Sequence, residues 1–141
     1  MIVAAVRDAI VALPGVTVDL ATWDFGDGVR RPAVFTREPA PAECENPVCT
    51  VTLAGGDNYG TRDQRGGEID VEVKVWGDKL GSEKRLRGLA MALWRGLDRA
   101  ALTIEGYNHG GTQAYAPRGL TDAEGFPGYV MLVRVRALEE V

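Results

Sequence analysis

The chain has 141 residues, with 20 acidic against 16 basic side chains, and 45% of it is hydrophobic. That is one ordinary domain with enough apolar surface for a core, and its mixed charge excludes a disordered chain. A net charge of −4 argues against a free-standing nucleic-acid binder, and no run of about 20 apolar residues exists to span a membrane.

Ile2, Val6, Ala9, Ile10 and Leu13 recur at helical spacing, and Pro14-Gly15 stops the predicted helix. Val16, Val18 and Leu20 predict a short strand. Trp23 to Arg31 reads as a loop turning at Asp27-Gly28. Pro32 to Thr36 predicts a strand led by proline, the permitted position. Glu38 to Pro47, rich in proline and glutamate, is expected to be extended and exposed. Val48 to Leu53 is a β-branched strand. Ala54 to Gly67 is long and glycine-rich, and loops of that kind are functional or mobile. Its Asp57, Asn58, Tyr59, Arg62, Asp63 and Arg65 are expected to be mobile in a free subunit and ordered in an assembly.

In Glu68 to Trp76, Ile69, Val71, Val73 and Val75 alternate with charged residues, the pattern of a strand with one dry face. Helix Glu83 to Arg99 follows, with Ser82 as N-cap and Leu86, Leu89, Ala90, Leu93 and Leu97 on one stripe. Leu102 to Tyr107 and Thr112 to Pro117 predict short strands about a turn at His109 to Gly111. Gly119 to Gly128 reads as a loop. Tyr129 to Leu138 predicts a final strand, with Met131, Val133, Val135 and Ala137 on one face and Arg134 and Arg136 on the other. A strand and a helix with one apolar face each pack as a two-layer α+β domain.

A catalytic set is not visible. Ser82, the only serine, is accounted for by the cap, and His109 is the only histidine. Cys44 and Cys49 are too few for a disulfide scaffold or a zinc site and read as free thiols in a reducing compartment. The start of the chain lacks a secretory pattern. Neither a dinucleotide fingerprint nor a phosphate loop occurs, so no cofactor, metal or catalytic residue is expected. Arg outnumbers Lys thirteen to three. Arg suits interfaces, although a GC-rich genome gives the same bias. Met91 lies opposite the leucine stripe, Trp94 lies at its edge, and Trp76 points with Asp70, Glu72 and Lys74. Such residues are either scattered exposed apolar groups or subunit contacts. Arg87 and Arg95 share the outer helix face with Met91. Trp76, Arg87, Met91, Trp94 and Arg95 are therefore the interface candidates.

In order, the elements are an N-terminal helix, PAVFT, a strand, a glycine-rich loop, VEVKVW, a leucine-rich helix and VRVRAL. This order resembles the tail terminator (tail completion) proteins of long-tailed bacteriophages, prophages and gene transfer agents. The likeness covers nearly the whole chain, 1–141, as a single domain. It is clearest in Val71 to Trp76, Leu86 to Leu97 and Val133 to Leu138. Arg37 to Asn46 is longer and more acidic than the family pattern.

The resemblance implies an α+β fold, with the N-terminal helix and the second long helix on one face of a mostly antiparallel sheet. It implies a non-enzymatic virion protein at the tail–neck junction, assembled in the bacterial cytoplasm. Its partners would be copies of itself in a ring, typically a hexamer, the major tail tube protein, and a head–tail connector or stopper. DNA would cross the lumen without sequence-specific binding. Two rival expectations stand beside it: another neck component, and a small cytosolic enzyme or ligand-binding module using Cys44 or Cys49.

Overall fold

The computed structural model describes residues 2–54 and 66–139. Helix α1 (Ile2–Val11) buries Ile2, Ala5, Val6 and Ile10 on one stripe. A single helical turn, α2 (Pro14–Thr17), follows. Strands β1 (Thr22–Asp24) and β2 (Arg30–Pro32) form a small antiparallel hairpin. Strands β3 (Val34–Phe35), β4 (Val48–Leu53) and β5 (Gly66–Trp76) lead to the long helix α3 (Glu83–Leu97). Strands β6 (Tyr107–Ala114), β7 (Arg118–Thr121) and β8 (Pro127–Glu139) complete the described chain.

The main sheet runs β3-β4-β5-β8-β6, with β7 beside the first part of β8. Every pair is antiparallel except the short β3–β4 edge. The architecture is the expected α+β. Its spine is β5 against β8, in register from Gly66↔Leu138 to Trp76↔Gly128. Period-two alternation sends Ile69, Val71, Val73 and Val75 of β5 and Met131, Val133, Val135 and Ala137 of β8 to the same face. That face meets the α1 stripe and Leu86, Leu89, Leu93 and Leu97 of α3 in one continuous core. Ser82 Oγ accepts the Arg85 amide at 3.2 Å and caps the helix, as its sequence position predicts.

Several elements differ from expectation. The Val16–Leu20 strand does not form. Pro14 starts the α2 turn instead, because its fixed φ suits a first helical position. Val16 is buried while Val18 is 76% exposed, so the alternation maps to no sheet face. Trp23–Arg31 is not wholly loop: its ends pair as β1 and β2. Asp24 Oδ1 closes the tip by accepting the Gly26 and Gly28 amides at 2.8 and 3.0 Å. Leu102–Tyr107 gives only an isolated bridge between Ile104 and Tyr107. The expected turn at His109–Gly111 is a β-bulge, with Gly111 at φ 142°, and β6 runs on through it. Part of the Gly119–Gly128 loop is strand β7.

Candidate assembly surface

Among the described residues, two surfaces outside the core carry the interface candidates. The first is the outer face of α3. Lys84, Arg87, Gly88, Met91 and Arg95 share the stripe opposite the buried leucines. Arg87 and Arg95 are exposed and Met91 is half-buried. Among the described residues, neither Lys84, Arg87 nor Arg95 has a carboxylate within ion-pair distance.

The second surface is the sheet face away from the helices. Its rows are cross-strand pairs. Arg134 forks onto Asp70 at 2.9 and 3.4 Å, and Arg136 reaches Glu68 at 2.7 Å. The Tyr115 ring lies 5.8 Å from the Arg134 guanidinium. Lys74 bonds Glu38 at 3.1 Å and Glu72 at 3.2 Å. Burial depresses the Lys74 ammonium, but the hydrogen bonds to Glu38 and Glu72 outweigh it and hold its pKa above the ordinary value.

One end of this face is covered. Phe35, Ala33 and Val48 form a small second core with Trp23, Ala40, Cys44 and Trp76 packed against it. The proline-rich segment 38–47 is therefore not simply extended and exposed. Glu38 ties its start to Lys74 and to Thr50 Oγ1 at 2.9 Å, and Ala40, Pro41 and Cys44 fold back half-buried. Between this segment and the turn before β8 lies an open groove of ≈ 590 Å³. Trp76, Val48 and Phe126 form its apolar part, and Glu38, Asp122 and Glu124 stand on its rim. A larger hollow, ≈ 820 Å³, lies beside Phe25 and Phe35 and carries three cations, of which Arg7 pairs with Asp8 and Arg31 with Asp27, while Arg37 has no ion pair among the described residues.

The interface candidates thus fall on two separate surfaces. Met91, Arg87 and Arg95 stand on the helix, and Trp76 stands in the groove. Trp94 is half-buried against the main core, and its indole Nε1 donates to the Ala114 carbonyl at 3.0 Å. Near it, Asp98 Oδ1 accepts the Ala114 amide at 3.0 Å, and the Thr112 carbonyl accepts the Arg99 amide at 3.0 Å. The end of α3 thereby satisfies the outer edge of β6 at Thr112 and Ala114, where it would otherwise offer itself for pairing. Neither this edge cap nor the folding-back of segment 38–47 is foreseen in the sequence. Asp98 after the helix is a weak hint of the first. Ala40 and Cys44 among the glutamates are a weak hint of the second.

The residues weighed for chemistry have structural partners. The Leu102 amide donates to His109 Nδ1 at 3.4 Å, which leaves Nε2 to donate to Thr112 Oγ1 at 2.6 Å. Cys49 is fully buried and burial pushes its thiol up to about 12. Burial also raises Cys44, against a smaller opposing pull from Arg30. Both thiols are free. No group of three metal-ligating side chains occurs among the described residues, and no helix among them is long and apolar enough to cross a membrane. The loop candidates Asp57, Asn58, Tyr59, Arg62, Asp63 and Arg65 lie outside the described residues.

A chain from the solved virion of a native gene transfer agent (GTA) particle superposes on this one with a TM-score of 0.67. The two share a fold. The match covers 96% of this chain and 93% of that one, at 17% sequence identity. No family model matches the sequence, and no curated protein matches it significantly. The likeness to the GTA virion chain is therefore one of architecture, carried by the helix, strand and loop order from end to end.

Proposed function

We propose that this chain is a structural protein of a phage-like or gene transfer agent virion, and that it acts as a tail terminator. In this reading its copies close into a ring, typically of six, on the head-proximal end of the tail tube. The ring stops tube polymerisation and offers its upper surface to the head connector or stopper. DNA crosses the lumen without being gripped. The observation that carries the reading is the end-to-end fold match to a chain of the GTA virion. The order of elements that resembles tail terminators supports the finer role. The surfaces are also suited to assembly: a basic helix face with Met91 at its centre, and an apolar groove rimmed by carboxylates. Interfaces favour such centres of aromatic or Met side chains with charge around them.

Deleting the gene tests the role. Tails should then grow abnormally long, and heads and tails should accumulate unjoined. Normal, joined particles without the protein would contradict the proposal.

A further inference from the structure

The two candidate surfaces differ in sign and in direction. The α3 stripe carries Lys84, Arg87 and Arg95 around Met91, and points away from the sheet on the helix side. The groove lies on the opposite face of the same sheet, floored by Trp76 and Phe126 and rimmed by Glu38, Asp122 and Glu124. Segment 38–47 adds Glu43 and Glu45, both exposed. The nearby cations are already engaged: Lys74 by Glu38 and Glu72, and Lys79 over the Phe126 ring at 4.9 Å. Within one chain the layer of sheet keeps the two surfaces apart. Between chains they are opposite in charge, and each surrounds an apolar centre.

We infer that the occupant of the Trp76 groove is the α3 stripe of a second copy, so that the ring closes through a head-to-tail contact. This rests on the ring proposed above and specifies its interface. Met91 enters the apolar floor while Arg87 and Arg95 meet Asp122 and Glu124 of the rim, since Glu38 is held by Lys74 and Thr50. An anchor in a dry pocket surrounded by paired charge is the arrangement that concentrates binding energy. Contact between two different patches of the same chain is heterologous, and repeated rotation of such a contact gives a ring. A two-fold dimer would instead put like charge on like charge at either surface.

Cys44 lines the groove and serves as a built-in reporter, because Cys49 is fully buried. Met91→Cys places a thiol on the facing stripe. Gly88→Cys does so where open space surrounds the position, so one failed fold does not end the test. Particles assembled from each full-length variant are oxidised at mildly alkaline pH and run without reductant. Wild-type particles are treated in parallel with glutaraldehyde. We expect disulfide-linked bands climbing from dimer to the complete ring, all lost when Cys44→Ser is added. A glutaraldehyde ladder with no cysteine-linked bands would overturn this interface and leave the ring standing. Bands that survive Cys44→Ser would mean that the stripe faces itself, and would also overturn it. No ladder by either chemistry would remove the ring and the inference together.

Discussion

A Cβ on Gly128 would lie 2.6 Å from the Trp76 ring and 2.9 Å from the Val75 carbonyl oxygen, and the carbonyl belongs to a central strand that cannot retreat. Gly128→Ala should therefore destabilise the fold by about 1–3 kcal/mol, the usual cost of overpacking, measurable by urea unfolding. Cys49 gives a pH signature. Its thiol is ordinary, near 9.0, when unfolded and is pushed up to about 12 in the fold. Between those values the unfolded chain loses a proton that the folded chain keeps. Stability should thus fall as pH rises through that window, by about 1.4 kcal/mol per pH unit. Lys74, whose pKa is raised, loses its favourable contribution in the same direction as pH passes above its folded value. Cys49→Ala should flatten the slope without abolishing it; an unchanged slope would contradict the assignment. At this scale the sequence is readable where one residue answers to its own neighbours. Ser82 stands at the cap it predicts. Trp76 is harder, because the small core it packs on, Ala33, Phe35 and Val48, comes from strands far off in sequence.

Among the elements, β5, α3 and β8 are legible because each is long and has a single apolar face. Val16–Leu20 and Leu102–Tyr107 mislead because a few alternating residues do not decide between strand and turn; long-range packing does. The parallel β3–β4 edge leaves no sequence signal at all. The cap on the β6 edge is likewise a meeting of elements distant in sequence, and it carries a prediction. Asp98→Ala strips the carboxylate from the Ala114 amide and should cost about 2 kcal/mol, since a hydrogen bond to a charged group is lost. The freed edge should also raise aggregation on heating, read by light scattering. Trp94→Phe should destabilise by losing the bond to the Ala114 carbonyl while keeping most of the packing. Trp94 therefore acts within the subunit as well as standing near the stripe. A charge placed there would disturb the fold, whereas Arg87 and Arg95 report on assembly alone. Arg87→Glu with Arg95→Glu should leave the melting temperature within a few degrees of wild type, because exposed pairs and charges contribute little. The same pair should block incorporation into particles.

For the whole molecule, the order of elements suffices to suggest a class of fold, and the match to the GTA virion chain at a TM-score of 0.67 agrees with it. The assembly surfaces are less legible, because an interface is a property of two chains and the pattern of one chain records only its own core. Met91 and Trp76 stand out in the sequence as apolar residues off the core stripe, but that they belong to opposite faces emerges only once the sheet is built. The central claim is the ring at the top of the tail tube. Electron cryomicroscopy of the intact particle tests it most directly. The account predicts this chain as a single ring, of six copies, between the last tube ring and the head connector. Finding it in the capsid wall, at the baseplate or nowhere in the particle would contradict the account.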